Sequence, residues 1–379
     1  MKKVFALLLV VLMVFTMAAC DTTEETPQET TPVSEPIVYE QRNYVLKDVA
    51  DRLKFLGRAS VAGNGVACDL TASGIEFDAF MQDQFSFTVS CSEVTYFTVF
   101  VDGVRQEKRY EAKGDFQKTT IVVDGLGEMA LRNIRIVKQT EAKLSVATLT
   151  NLEFFGFLAS KPKNQELYIE FIGDSISCGY GVLWTKNSGI ASNKSGTAQF
   201  QDGTQSFAYL TAQLLKADVS IVSCSGIGID KGYTNQDGTG YRMLDFYKAD
   251  SYVRSKTEEF DFANARVPDV VVINLGTNDL AVGSTEGDFK AGVKDLVEFI
   301  RTSYGKNVPI VWVYGMMSDG CYQWAQSVLT QMGGEASGLY LFELIRNKEG
   351  GNGHPSLVAQ DIASQQLTGF LTSKKIVEI

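Results

Sequence analysis

Ser175 stands where an apolar run gives way to small and polar residues, in LYIEFIGDSISCGYG at 167–181. A serine hydroxyl attacks a carbonyl carbon only when a neighbouring base takes its proton. The chain contains one histidine, His354, in the loop-like stretch GGNGHPS at 350–356. A nucleophilic serine would therefore have to use that residue. Two further blocks supply groups suited to an oxyanion. Asn278, in NLGTNDL at 274–280, carries an amide that can donate a hydrogen bond. Gly228, in SCSGIG at 223–228, offers a backbone N–H with no side chain to obstruct it. Taken singly, each block is ordinary turn or cap chemistry. Taken in this order, with GDS ahead and HP behind, they are poorly explained by turns alone. The Ser175 block is not the G-x-S-x-G elbow, since Ser177 stands in the second glycine position. Cys178, three residues past Ser175, is a rival thiol partner for His354 and is read as packing.

These blocks need a scaffold that brings distant tips together. After about residue 156, the strand candidates LYIEFIG, VSIVSCSG, PDVVVINLG and VPIVWVYGMM alternate with helical stretches such as SFAYLTAQLLK and FKAGVKDLVEFIRTSYG. In the last of these, Phe289, Val293, Leu296 and Ile300 share one helical face. A continuously apolar strand such as VVVIN fits a parallel sheet covered on both faces. Residues 156–379 are therefore expected to form a doubly wound α/β domain. In such sheets ligands sit beyond the C-terminal strand ends, where the GDS, SCSGIG and GTND tips would converge. Ser175 is expected at a strand-to-helix turn, and Pro355 in the first turn of the helix after His354.

Residues 39–155 have a different texture. In FSFTVSC, Phe85, Phe87, Val89 and Cys91 alternate on one face, the period of a half-buried strand. Asp102-Gly103 lies between two strand-like runs, a strong hairpin signal. Many short strands joined by turns predict an all-β sandwich of the jelly-roll kind.

The 379 residues exceed what one hydrophobic core usually holds, so two domains are expected. A net charge of −10 argues against a nucleic-acid partner, which needs clustered Lys and Arg. MKKVFALLLVVLMVFTMAAC opens with two lysines, continues apolar and ends in small residues before Cys20. This reads as a signal peptide over 1–19, with Met-Ala-Ala-Cys resembling a bacterial lipobox and Cys20 carrying the lipid. Residues 20–38, rich in Thr, Glu and Pro, read as a disordered tether. The expected location is the extracellular face of the cell membrane, with the membrane engaged through this anchor alone. The other five cysteines form no C-x-x-C pair, and there is a single histidine. No metal and no cofactor are expected.

The four blocks GDSISCGYG, SGIG, NLGTNDL and GHPS resemble those of the SGNH (GDSL-type) hydrolases, most closely carbohydrate esterase family 2. The segments Leu56-Gly57-Arg58, Val101-Asp102-Gly103 and Lys138 to Glu141 (KQTE) are similar to that family's sandwich segments. The resemblance covers roughly residues 50 to 379. It implies a jelly roll followed by an SGNH domain and an acyl-enzyme esterase acting on acetylated carbohydrate. Ser175 would be the nucleophile and His354 the base. The N–H groups of Ser175 and Gly228 and the Asn278 amide would form the oxyanion hole. Family members often carry an aspartate two residues before the histidine; here Asn352 holds that place and Gly351 the one before.

Trp184, Trp312, Trp324, Tyr180 and Tyr314 are aromatics that could meet a sugar ring, although burial in a core is their commoner fate. The leading expectation is a secreted carbohydrate O-acetylesterase. Other expectations weighed are a lipase-like or thioesterase-like SGNH acyl-hydrolase and a carbohydrate-binding lipoprotein with weakened catalysis.

Overall fold

The structure, a computed structural model, describes residues 39–237 and 239–378. The expected signal peptide, Cys20 and tether lie outside these residues.

The N-terminal part is an antiparallel arrangement of eleven strands. Its longest strand, Gly74–Cys91, pairs with Lys54–Leu56, Lys118–Asp124, Ala130–Lys138 and Ala147–Leu158. Phe85, Phe87, Val89 and Cys91 turn inward along it, as the period-two pattern requires. They meet Phe77, Phe97 and Phe154 in one core, where Phe77 and Phe85 pack edge to face. The expected hairpin is present: Thr95–Val101 returns as Val104–Arg105 through Asp102 and Gly103, both at positive φ. The last strand runs to Leu158, so the expected boundary after residue 155 falls inside a strand.

Five parallel strands follow: Tyr168–Gly173, Asp218–Ser223, Val270–Asn274, Ile310–Tyr314 and Leu339–Glu343. Taking them in chain order, their spatial order is second, first, third, fourth, fifth. Between and after them come α1 (Phe207–Leu214), α2 (Met243–Lys248), α3 (Thr277–Val282), α4 (Glu286–Tyr304), α5 (Tyr322–Gln331) and α6 (Leu357–Ser373). On one face of the sheet, Phe207, Ala212, Ala363 and Leu367 of α1 and α6 pack on Phe171, Val272 and Val311. On the other, Phe289, Val293, Ile300 and Leu329 of α4 and α5 pack on Ile273, Ile310 and Trp312. Burial on both sides is why VVVIN has no polar alternation. The chain leaves the first strand towards one neighbour and later returns to its other side. That reversal opens a crevice beyond the C-terminal end of Tyr168–Gly173.

Residues 39–379 form one compact unit, and polar side chains hold its two parts together. Arg58 pairs with Glu170 of the first parallel strand at 3.3 Å, and both side chains are buried. Its guanidinium also donates to the carbonyls of Tyr247 and Ala249 and lies 4.0 Å from the centre of the Phe260 ring. Lys54 meets Asp218 at 2.6 Å, and Arg254 grips Asp69 through two nitrogens. Truncating one member of such a buried pair would strand a charge, which typically costs about 3–5 kcal/mol.

Candidate active site

Ser175 follows the first parallel strand and is 6% exposed. No helix begins there. The chain runs through successive turns from Ser175 to Leu183, with Cys178 N donating to Asp174 O and Tyr180 N to Ser175 O. The expected strand-to-helix turn is thus replaced by a coil of turns. Gly179 and Gly181 within it have φ near +65°, a conformation open to glycine at little cost.

His354 lies at the C-terminal side of the short 3-10 turn Gly351–Gly353 and is 8% exposed. Pro355 does not enter the following helix: Ser356 is the N-cap of α6, its hydroxyl accepting from Ala359 N. Nε2 of His354 sits 2.8 Å from Ser175 Oγ. Nδ1 lies 3.2 Å from each of the carbonyl oxygens of Gly351 and Asn352. Two acceptors at Nδ1 require a proton there, which leaves the Nε2 lone pair facing the serine hydroxyl. Both contacts at Nδ1 thus come from main-chain oxygens; the Asn352 side-chain amide acts on Tyr180 instead, opposing the rise that burial gives the Tyr180 pKa. The Tyr180 ring in turn packs on the imidazole, centroids 4.4 Å apart. Burial pushes the His354 pKa down to about 4, against the opposing pull of the Asn352 and Gly351 carbonyls.

Asn278 lies in the first turn of α3, after the third strand. Its Nδ2 donates to Ile227 O at 2.8 Å and to Asp174 Oδ2 at 3.3 Å, so it bridges the GDS block and the SGIG block. Burial raises the Asp174 pKa to about 7, the Ile176 N–H working against it and the Asp279 charge adding to it. Asp279, fully buried beside Asn278, accepts from the N–H groups of Ile229, Asp230 and Lys231 at 2.8–3.1 Å. That one carboxylate fastens the SGIG loop to α3.

The two candidate glycines differ in setting. Gly228 is buried under the Lys231–Gly232 turn; a Cβ added to it would come 1.8 Å from Lys231 O. Gly226, two residues earlier, is partly exposed with φ +84°. It is flanked by Lys143 and by Tyr233, an aromatic that is 58% exposed. Among the described residues, the N–H groups of Ser175, Gly226 and Gly228 have no protein acceptor.

Cys178 is fully buried, its sulfur 3.1 Å from Ser223 Oγ, and burial pushes its thiol pKa well up. It is a packing residue. Of the aromatics considered from sequence, Trp312 is in the core and Trp324 packs on Phe289. Tyr314 stacks on Tyr322, and Trp184 bonds Ile190 O. Three site neighbours have no role assigned from the sequence: Tyr233, Asp279 within the NLGTNDL block, and Glu141 at the end of KQTE. The carboxylate of Glu141 accepts from Ser225 N and Oγ.

Residues 169–347 match the GDSL-like Lipase/Acylhydrolase family. The chain is 29% identical over 327 residues to the cellulase/esterase CelE of Acetivibrio thermocellus, an alignment covering 82% of this chain and 38% of that one. It therefore spans well under half of that relative's length. It is 26% identical over 254 residues to an acetylxylan esterase / glucomannan deacetylase of Cellvibrio japonicus, covering 62% and 68% of the two chains. Its fold matches a family two carbohydrate esterase from Clostridium thermocellum, solved with cellohexaose, with a TM-score of 0.76 and 28% identity. That match covers 85% of this chain and 99% of the other. The chain carries a hydrolase domain of the GDSL/SGNH type whose close matches are family two carbohydrate esterases.

Proposed function

We propose that this protein removes O-acetyl groups from a glycan through a Ser175 acyl-enzyme, with His354 as general base and then general acid. The observation that carries this reading is the 2.8 Å contact between His354 Nε2 and Ser175 Oγ, with Nδ1 already committed to two carbonyls. As Oγ bonds to the acetyl carbonyl carbon, its proton passes to Nε2. The imidazolium then protonates the departing sugar oxygen, and water, deprotonated by the same nitrogen, releases acetate. No carboxylate faces Nδ1 among the described residues. Carbonyl dipoles orient the ring and take up part of the imidazolium charge.

The oxyanion receives the Ser175 N–H, the Asn278 amide and a backbone N–H from the SGIG loop. Partial exposure favours Gly226 over the expected Gly228 for that last donor. Asn278 joins by exchanging its longer bond, the one to Asp174. Tyr233, exposed beside Gly226, offers its ring face to a sugar. The acetyl-glycan assignment draws its support from the esterases and deacetylase the chain resembles. A Cys20 lipid anchor at the outer membrane face would suit a polymer that cannot enter the cell. Among the described residues no helix is long and apolar enough to cross a membrane.

The test is acetate release from acetylated xylan and glucomannan by the wild type and by Ser175→Ala. Release by the wild type alone supports the reading. Glycan binding with no release by either protein would replace it with a non-catalytic binding role.

A further inference from the structure

Glu141 belongs to the last loop of the N-terminal sheet part, yet its carboxylate lies among hydrolase residues. The side chain is buried, with the residue 1% exposed. Oε2 accepts the Ser225 N–H at 2.6 Å; Oε1 accepts the Ser225 hydroxyl and the Gln201 amide, the latter at 3.1 Å. The Cys178 thiol lies 3.8 Å away. The two neighbouring lysines do not neutralise it by contact. Lys138 spends its ammonium on the carbonyls of Asp69, Thr140 and Glu141, and Lys143 donates to Ser225 O at 3.0 Å. A buried carboxylate satisfied only by neutral donors is a costly way to join two layers, and apolar packing would serve as well. What the arrangement does provide is control of one residue. The N–H, hydroxyl and carbonyl of Ser225 are all taken by Glu141 and Lys143.

Ser225 immediately precedes Gly226. On the far side of the same loop, Asp279 holds the N–H groups of Ile229, Asp230 and Lys231. The stretch 226–228 is thus suspended between two carboxylates, one from the sheet part and one from the helix that carries Asn278.

We propose that Glu141, seconded by Lys143, is a positioning residue for turnover: it sets the direction of the Gly226 N–H, so the N-terminal sheet part completes the hydrolase site. This rests on the esterase reading above. Glu141 touches no reacting atom and acts through Ser225. Without it, the loop keeps its Asp279 anchor and loses its other end, so the oxyanion donor is misdirected rather than removed.

The experiment compares Glu141→Ala, Glu141→Gln and Lys143→Met with the wild type on 4-nitrophenyl acetate, with Tm measured alongside. Glu141→Ala is expected to lower kcat about 10–100-fold with KM within about twofold, less than the 10²–10³ for losing a donor outright. Glu141→Gln keeps one oxygen for the Ser225 N–H and should recover most of that loss. Lys143→Met, at an exposed side chain, should lower kcat about threefold or more while Tm holds, and it carries the test where Glu141→Ala does not fold. Wild-type kcat in both Glu141→Ala and Lys143→Met, whatever their Tm, would overturn the proposal. If the wild type itself shows no Ser175-dependent hydrolysis, the esterase reading fails instead. Amide hydrogen exchange over 224–230 then decides: faster exchange in the variants upholds the clamp, and unchanged exchange rejects it.

Discussion

Gly181 and Gly351 meet backbone to backbone: the Gly351 N–H donates to Gly181 O at 2.9 Å, and a Cβ on Gly181 would lie 2.6 Å from Gly351 O. This contact docks the loop carrying Ser175 onto the loop carrying His354. It explains the second of the two glycines after the GDS block, since any side chain at 181 would part the two loops.

Gly181→Ala is therefore expected to damage catalysis more than stability. The φ of +65° alone costs an alanine about 1–2 kcal/mol, and the clash must be relieved by moving residue 351. Since His354 Nδ1 is held by Gly351 O, that movement reaches the proposed base directly. We expect kcat to fall by about 10²-fold, because a displacement near 1 Å at a reacting group has that effect. Ester hydrolysis measured with circular dichroism as a fold control checks this.

Asn352 stands two residues before His354, where the resemblance to carbohydrate esterase family 2 implies an aspartate, and its main-chain carbonyl is what meets His354 Nδ1. Asn352→Ala should accordingly leave kcat within about threefold of the wild type, in contrast to the roughly 10⁴-fold loss when a true triad carboxylate is neutralised. The cost should appear in stability, about 1 kcal/mol, because φ is +53° at this residue. A large kcat loss in a well-folded Asn352→Ala would reject the carbonyl-held imidazole.

Much of this architecture is legible in the sequence because it rests on periodicity and local turn chemistry. The face Phe289, Val293, Leu296 and Ile300 is buried in α4, and Asp102-Gly103 makes the hairpin. The strand ends bring Ser175, Asn278 and the SGIG loop to one edge because parallel strands share a direction. What was not legible depends on contacts between distant segments. Nothing in KQTE announces that Glu141 will bond Ser225, and two glycines separated by one isoleucine look alike until Lys231 and Gly232 cover the second. The absence of a helix after Ser175 is similarly tertiary: Gly179 and Gly181 turn the chain back to meet residues 202 and 351.

The depressed His354 pKa has a signed consequence for pH dependence. As the proposed base, His354 is neutral above about 4, so kcat/KM should stay flat down to about pH 5 and then fall about tenfold per unit below 4. In stability the folded value, about 4, is below the usual 6.5, so between these the unfolded chain takes up the proton and the folded one does not. The contribution is fully present above pH 6.5 and is lost as pH falls towards 4, up to about 3 kcal/mol. Asp174 works in the opposite sense. Its raised value, about 7, relieves strain as pH falls from 7 towards the ordinary carboxylate range. Comparing urea unfolding of the wild type with His354→Gln at pH 7.5 and 5.0 isolates the histidine: the wild type should lose more on acidification, and equal losses would refute the assignment.

Asp279 and Asn278 are adjacent but should fail differently. Asn278→Ala removes the proposed oxyanion donor and also frees Ile227 O, so kcat is expected to drop about 10²–10³-fold with KM little changed. Asp279→Asn keeps the shape of the side chain but offers one carbonyl oxygen to three backbone N–H groups, turning an NH₂ towards at least one of them. A buried donor left unsatisfied costs about 1–3 kcal/mol, so this variant should lose stability as well as turnover. Its kcat loss should be partial, because Glu141 still holds the other end of the loop. Combining Asp279→Asn with Glu141→Ala releases both anchors, and the losses in kcat should exceed the product of the single effects. Additive losses would mean that the two carboxylates do not share the 226–228 segment as a common load.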